Sequence, residues 1–168
     1  MRETLVLTVL GPDRTGLVEA LADRIAAAGG NWEASHMARL AGQFAGIVLV
    51  TADREHADRV RSALRGLDGL EVSLRVSVAP PPAPGERVQL ELTSADRPGI
   101  VRDVAHALAQ RGVNVEELES SITSAAMSGE PLFTARAVLR LPPQLTLADV
   151  RSGLESLSSE MMVDLTTG

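Results

Sequence analysis

An internal repeat constrains this chain more than any other feature of its sequence. The segment DRTGLV at 13–18 recurs as DRPGIV at 96–101, an offset of 83 residues. Matches that recur at a single offset indicate a duplicated structural unit. Five further pairs align at this offset: Leu21 with Val104, Ile25 with Leu108, Gly29 with Gly112, Asn31 with Asn114, and Glu33 with Glu116.

The segment between the two copies reads PPPAPGE, at 80–86. A run this rich in proline is stiff and extended, which is typical of a linker. The repeat therefore predicts a first domain at 1–79, a linker at 80–86 and a second domain at 87–168. The chain length of 168 residues accommodates two very small domains.

Both copies begin with the same two elements. Apolar residues that alternate with polar ones predict a strand at the start of each copy. Apolar residues at steps of three and four then predict an amphipathic helix that ends at Gly29 or Gly112. The apolar positions are Leu5, Leu7, Val9, Leu17, Leu21 and Ile25 in the first copy, and Val88, Leu90, Leu92, Ile100, Val104 and Leu108 in the second.

Two strands, a helix and a last strand complete each copy. The two strands are predicted near 32–40 and 45–51, and near 115–123 and 132–140. The second helices are predicted around 57–64 and 147–157, and Thr146 with Asp149 resembles a capping box. Alternation predicts last strands at 70–78, with its even-numbered residues on one face, and at 161–165. The order βαββαβ, twice, predicts an α+β fold of two ferredoxin-like units, each an antiparallel sheet with its helices on one face.

The loop between the first strand and the first helix carries the motif that the copies share most closely. It spans 11–16 and 94–99 and ends where a helix begins. The free N–H groups and partial positive charge of a helix start favour a carboxylate or a phosphate. In such a loop an arginine can hold a carboxylate with two hydrogen bonds, an aspartate can face an ammonium group, and a glycine lets a ligand approach the backbone. The residues concerned are Asp13, Arg14, Gly16, Asp96, Arg97 and Gly99.

The same loop residues also have purely structural explanations. Asp13 and Asp96 are suited to cap the helix that follows. Pro98 is expected in the first helical turn. The two glycines are also compatible with a close approach of helix and sheet. At this point both kinds of explanation remain open.

A turn after each helix contains an asparagine, Asn31 in the first copy and Asn114 in the second. Its amide offers a donor and an acceptor, which suit the ammonium and carboxylate of an amino acid. Asparagine is also common in turns for purely conformational reasons. Since this turn lies at the opposite end of the helix from the first loop, it meets the first loop of another copy only if two units pack antiparallel.

The strand, the DRxG segment, the alanine-rich helix and the GxN turn together resemble the ACT domain, twice over nearly the whole chain. The second copy matches well, whereas the first departs at Thr15 and Gly30 and is therefore the candidate for a degenerate site. The arrangement resembles the glycine cleavage system transcriptional repressor group. The resemblance implies a small amino acid such as glycine or serine, bound between ACT units and contacted by Asp13, Arg14, Gly16, Asn31, Asp96, Arg97, Gly99 and Asn114. It also implies regulation of a partner protein, without catalysis, cofactor or direct binding to DNA.

Composition excludes several kinds of chemistry. The chain has no cysteine, tyrosine or lysine, which removes disulfides, thiolate sites, Schiff bases and the P-loop lysine. The three histidines lack the spacing of metal ligands, so no metal site is expected. The net charge of −6 argues against binding to nucleic acid. No signal peptide or membrane span is recognisable, and a cytoplasmic protein is expected.

Three alternatives are weighed against the regulator. Acylphosphatases share the ferredoxin-like unit and use an arginine and an asparagine, for which Arg14 and Asn31 are the candidates. An RNA-binding sheet needs exposed aromatic residues, and this chain has only Trp32, Phe44 and Phe133. Trp32 is expected in an interface between units, where large aromatic residues concentrate, in preference to a core. The third alternative is a scaffold that binds no ligand. A homodimer is predicted, formed either by extending the sheets or by stacking their open faces.

Overall fold

The computed structural model describes residues 1–78, 80–81 and 83–168. Ala79, in the predicted first domain, and Pro82, in the predicted linker, lie outside the described residues. The chain divides into two compact units, Met1–Pro80 and Pro81–Gly168. No helix in the described part of the chain is long and apolar enough to cross a membrane.

The first unit follows the predicted order of elements. They are β1 (Arg2–Pro12), α1 (Leu17–Ala27), β2 (Gly30–Leu40), β3 (Gln43–Asp53), α2 (Arg54–Leu64) and β4 (Glu71–Ser77). The four strands form an antiparallel sheet in the order β2-β3-β1-β4.

The second unit repeats this order. Its elements are β5 (Glu86–Ala95), α3 (Ile100–Ala109), β6 (Asn114–Ser124), β7 (Pro131–Leu141), α4 (Leu147–Glu155) and β8 (Met162–Thr167). The antiparallel sheet has the equivalent order β6-β7-β5-β8. The predicted fold of two ferredoxin-like units is confirmed. Strand β5 begins at Glu86, the last residue of the predicted linker.

The core of each unit lies between its helices and one face of its sheet. Alternate residues of β1, such as Leu5 and Leu7, are fully buried and face Leu21 and Ile25 of α1 within a single cluster. The matching strand β5 buries Val88, Leu90 and Leu92 in the second cluster. Burial of each such side chain contributes about 1.5–3 kcal/mol. The predicted core faces of these strands and helices are therefore confirmed.

Helix ends agree with the sequence in part. Thr146 and Asp149 form the predicted capping box, with the Asp149 N–H donating to Thr146 Oγ1 over 3.2 Å. Gly29, at φ +85°, follows the end of α1 as the predicted left-handed stop. In the second unit α3 ends three residues before Gly112, which itself has φ +71°. The chain therefore makes a slightly longer turn before β6.

The last strand of the first unit keeps the predicted alternation. Val76 lies opposite the core residue Leu5 of β1, so it is on the face that carries the other even-numbered residues of the strand. It is nevertheless 53 % exposed, and Val78, which follows the end of β4, is 90 % exposed. Since β4 is the edge strand of its sheet, residues near its end have neighbours on one side only. Trp32, by contrast, packs against the core of its own unit.

Candidate functional site

Both candidate loops enter their helices through a glycine. Gly16 and Gly99 are the N-cap residues of α1 and α3, with φ of +87° and +82°. Asp13 and Asp96 lie three residues earlier, so the prediction that an aspartate occupies the N-cap position is wrong. Pro98 precedes Gly99 and lies outside the first helical turn. Glycine occupies these positions because a left-handed backbone is costly for other residues.

The two glycines are not explained by crowding between helix and sheet. A methyl group added to Gly16 meets no described atom within 4 Å. A methyl group added to Gly99 lies 3.2 Å from Arg102 Nη2, the flexible end of a side chain. A glycine N-cap also has no side chain to accept a bond from the first helical turn. The helix starts are therefore shaped by the backbone turn and are accessible.

In the first unit the loop is held by long-range contacts. The Asp13 carboxylate pairs with Arg39 at 2.7 Å, and the Asp13 N–H donates to the Gly42 carbonyl over 2.9 Å. Arg14 reaches the other way and donates to the Asp68 carbonyl over 2.5 Å. The loop is thereby tied to the β2–β3 hairpin on one side and to the turn before β4 on the other. Both charged side chains are exposed and remain accessible to a ligand.

In the second unit the arginine has a different partner. Arg97 Nη1 donates to Asp103 Oδ2 over 2.7 Å, while Arg102 donates to Asp103 Oδ1 over 3.0 and 3.1 Å. These bonds, that from Arg97 first, hold the pKa of Asp103 below its ordinary value. At the offset of 83 the first unit has Ala20 in place of Asp103. The two loops have a similar backbone conformation at the helix start, but they differ in the charged residues around their arginines.

The turn asparagine of the first unit lies beside a carboxylate. Asn31 Nδ2 donates to Glu33 Oε1 over 2.8 Å, and Thr51 Oγ1 donates to the same oxygen over 2.7 Å. The bonds from Thr51 and then Asn31 lower the pKa of Glu33. The strand has an irregularity at this residue, where the register shifts between Trp32 and Ala34. One exposed carboxylate is thus positioned by neutral donors at this end of the sheet.

The matching turn in the second unit is surrounded by arginines. Glu116 accepts from Arg140 Nε over 2.8 Å and from Arg87 Nε over 2.9 Å, and Arg87 also pairs with Glu117 at 2.8 Å. The Arg140 bond is the main reason that the pKa of Glu116 is lowered. Asn114 lies directly opposite Arg140 across β6 and β7. The second turn therefore carries a charged network where the first carries Asn31, Glu33 and Thr51.

Replacement of Arg140 by glutamine is expected to raise the pKa of Glu116 toward its ordinary value, because the strongest bond to the ionised carboxylate is lost. A carboxyl group with a lowered pKa stabilises the fold above its unfolded pKa, and that stability is lost as pH falls through the folded pKa. Arg140→Gln should therefore flatten the acid limb of the stability curve. The measurement is an NMR pH titration of the Glu116 carboxyl carbon.

The control for this titration is Arg136→Gln, which removes the partner of Glu91 on the same strand β7. It should leave the Glu116 titration unchanged. If Arg140→Gln leaves the pKa of Glu116 unchanged, the bond from Arg140 is not the main cause of the lowered pKa.

Each unit places its loop and its turn at opposite ends of the sheet. In the first unit Asn31 and Thr4 both lie opposite Thr51, whereas the loop begins at Pro12, opposite Gln43. Eight residues of β1 separate these levels, which is about 26 Å at the usual rise of a strand. In the second unit Arg87 and Ala95 are separated in the same way. A small ligand cannot contact both elements of one unit.

This separation bears on the acylphosphatase alternative. Arg14 lies at the loop end of the first sheet and Asn31 at the turn end, so the pair cannot act on one small phosphate within a unit. Arg14 is also engaged with a backbone carbonyl. The structure therefore provides no basis for that alternative.

The RNA-binding alternative fails on the positions of the aromatic residues. Phe133 is 5 % exposed, within the core of the second unit. Trp32 and Phe44 both pack against the core of the first unit. These are the three aromatic residues of the sequence, so the sheets lack the exposed stacking platform that such proteins use.

A cavity of about 280 Å³ lies on the second sheet, on the face away from the helices. It is lined by polar side chains of β5, β6 and β7, among them Glu91, Glu119 and Arg136. None of the predicted site residues lines it. The predicted residues therefore do not surround this cavity.

The departure at Gly30 has a packing explanation. A methyl group added there would lie 2.9 Å from Ile25 Cγ2, 3.0 Å from Val50 Cγ1 and 3.1 Å from Val60 Cγ2. At the matching position of the second unit Val113 is buried, 6 % exposed, in a differently filled core. The glycine is thus set by core volume, and it does not identify the first copy as the degenerate one.

Several neighbours of the site were not singled out from the sequence. Arg39, Thr51, Asp68, Arg87, Asp103 and Arg140 reach it through contacts across the sheet or the helix. Only Glu33 and Glu116 left a signal, since they align at the repeat offset next to the asparagines. The other contacts join residues up to 54 positions apart and follow no periodic pattern.

Comparison with known proteins gives a consistent family. Models of the ACT domain match residues 3–77 and 88–151. The glycine cleavage system transcriptional repressor of Escherichia coli (strain K12) is 26 % identical over 161 residues, which cover 94 % of this chain and 85 % of that protein.

Two crystal structures resemble the whole chain. One, of an unknown protein from Galdieria sulphuraria, has a TM-score of 0.87 and 30 % identity, and covers 100 % of this chain and 99 % of its own. The other, described as a candidate glycine cleavage system transcriptional repressor, has a TM-score of 0.71 and the same coverages at 18 % identity. At that identity it is a likeness of fold alone.

Proposed function

Since this chain belongs to the ACT domain family, with one ACT domain in each half, we propose that it binds a small amino acid of the glycine or serine type and thereby regulates a partner protein. The family and the similarity to a transcriptional repressor support a regulatory role. The ligand, the partner and the absence of catalysis are parts of the proposal.

The observation that carries the proposal is the shared geometry of the two loops. In both units a glycine with positive φ is the N-cap residue of the helix. An arginine lies two residues before this glycine and directly follows the aspartate of the motif. The N–H groups there, with Arg14 or Arg97, suit the carboxylate of an amino acid. A ligand carboxylate that engages Arg97 would compete with Asp103 for it.

The ammonium end of the ligand is assigned to the turns. Asn31 or Asn114 offers its amide oxygen, and Glu33 adds a carboxylate beside the first turn. Because loop and turn of one unit are about 26 Å apart, a complete site needs the loop of one unit and the turn of another. We therefore propose that two units pair antiparallel around the ligand, with Asp13, Gly16, Asp96 and Gly99 completing the loop sides.

Regulation follows from linkage. An amino acid that bridges two units stabilises the packing that forms its site over other packings. A partner protein that binds one packing better then gains or loses affinity by the same factor when the ligand is present. Direct contact with DNA is not part of this proposal, since neither copy has a surplus of basic residues.

A thermal-shift screen against the twenty amino acids tests this function. A ligand at one hundred times its Kd stabilises the folded state by about 2.7 kcal/mol, which corresponds to about 5–10 °C in Tm for a chain of this size. We expect a selective rise with glycine or serine. A flat response to all twenty would contradict the proposal and leave the scaffold alternative.

A further inference from the structure

The sheet of the first unit exposes an apolar surface on the side away from its helices, which we call the open face. Leu10, Ile47 and Leu40 on this face are 46 %, 49 % and 79 % exposed. A single exposed leucine is ordinary, but a contiguous apolar face on a small domain indicates a surface that is covered in use. The apolar residues of the open face are Val6 and Leu10 on β1, Ala45, Ile47 and Leu49 on β3, and Ala34, Ala38 and Leu40 on β2.

The second unit has polar residues at the matching positions. The pair Thr8 and Ile47 of the first sheet corresponds to Glu91 and Arg136 of the second, which form an ion pair at 3.2 Å. The second unit has a polar residue at seven of the eight positions that are apolar in the first unit, and it has Val138 at the eighth. The seven polar residues are Gln89, Thr93, Thr134, Arg136, Glu117, Ser121 and Thr123. The same backbone therefore accepts polar residues on this face. The apolar residues of the first unit are not required by the fold.

We propose that the open face of the first unit packs against the same face of a second copy of this chain. A face that binds itself closes into a two-fold dimer, whereas contact with a different patch on the second copy continues head to tail. The corresponding face of the second unit is a poor partner, since burying Glu91, Glu117 and Glu119 against apolar side chains is costly. The sequence predicts a homodimer, and this face supplies a surface for it.

The charges on the face are compatible with self-association. The middle of the two inner strands β1 and β3 carries apolar residues and Thr8, with further polar residues only at the strand ends. The other ionisable side chains lie on the two edge strands, including His36 on β2 and Glu71 and Arg75 on β4. A two-fold axis parallel to the strands places β4 of one copy over β2 of the other. Arg75 then faces Ala34 and Glu71 faces Ala38, so no like charges oppose each other.

The face is large enough for a stable dimer. Four strands at about 4.8 Å spacing and about 30 Å of length cover roughly 600 Å² in projection. The accessible area of protruding side chains exceeds the projected area. It approaches the roughly 800 Å² that each partner of a standard interface buries, and two stacked sheets commonly form such a core.

The test is sedimentation equilibrium of the intact chain, whose monomer mass is 17.7 kDa, with two matched variants. Ile47→Arg introduces on the open face the residue that the second unit carries at the matching position. Val138→Arg makes an equivalent change on the polar face of the second unit. We expect a dimer for the native chain and an unchanged dimer for Val138→Arg. For Ile47→Arg we expect the Kd of the dimer to rise about 100-fold or more, because unpaired charges would be buried.

Two results would overturn the inference: a native chain that is monomeric up to several hundred micromolar, and an Ile47→Arg variant that dimerises as tightly as the native chain. If Ile47→Arg does not fold, Val6→Gln with Leu10→Thr, which also copies the second unit, takes its place with the same expectations. The inference does not depend on amino-acid binding. A dimer without a ligand response therefore fails the proposed function while supporting this surface.

Discussion

Replacement of both turn asparagines, Asn31→Ala with Asn114→Ala, is expected to weaken amino-acid binding by about tenfold or more at each site. A hydrogen bond to a charged group contributes about 1.5–3 kcal/mol, and the alanine side chain cannot supply it. Both asparagines are exposed at the ends of their sheets, so the fold should be little affected. The measurement is a calorimetric titration of native and variant chains with the amino acid that gives the thermal shift.

The control for this titration is Gln89→Ala, which removes an exposed amide from β5, a strand that is not adjacent to β6 in the sheet. It should bind as the native chain does. The single variants add information, because Asn31 also donates to Glu33 and its loss should raise the pKa of that carboxyl. If the double variant binds with native affinity, the asparagines are turn residues and the ligand site lies elsewhere.

The substitution Gly30→Val is expected to destabilise the first unit by about 1–3 kcal/mol, the usual cost of added atoms in a packed core. Even the first added carbon would lie 2.9 Å from the Ile25 methyl and 3.0 Å from that of Val50. The measurement is urea unfolding, with probes that separate the transitions of the two units. The transition of the second unit should be unchanged.

A second substitution tests whether the clash is the cause. Ile25→Leu removes the Cγ2 methyl nearest to Gly30 and copies the second unit, in which Leu108 and Val113 occupy the matching positions. Gly30→Val combined with Ile25→Leu should recover part of the lost stability. Additive losses would show that the two positions do not share the space and that Gly30 is required for another reason.

The fold could be predicted from the sequence because its signals are periodic and appear twice. The alternation at Leu5 and Leu7 and the helical spacing of Leu21 and Ile25 report directly which side faces the core. Predicted strand ends lie within two residues of the observed ones, and the capping box at Thr146 is a local pattern. The second copy repeats the same order of elements, so each predicted element is supported by its counterpart.

The site could be predicted only in outline. The aspartates were natural N-cap candidates, but the left-handed conformation of Gly16 and Gly99 is a property of the whole turn and not of one residue type. The bond from Arg14 to the Asp68 carbonyl depends on how α2 leads into β4, which no local pattern encodes. The apolar open face could be recognised only from the strand register, which shows which residues share that face of the sheet.

The central claim is that this pair of ACT domains binds a small amino acid. The most direct measurement is isothermal titration calorimetry of the intact chain with glycine and with serine. The account predicts saturable binding of one of them, with affinity lowered in the chain that carries Asn31→Ala and Asn114→Ala. Absence of any binding heat or competition up to millimolar concentrations, in a chain shown to be folded, would contradict it.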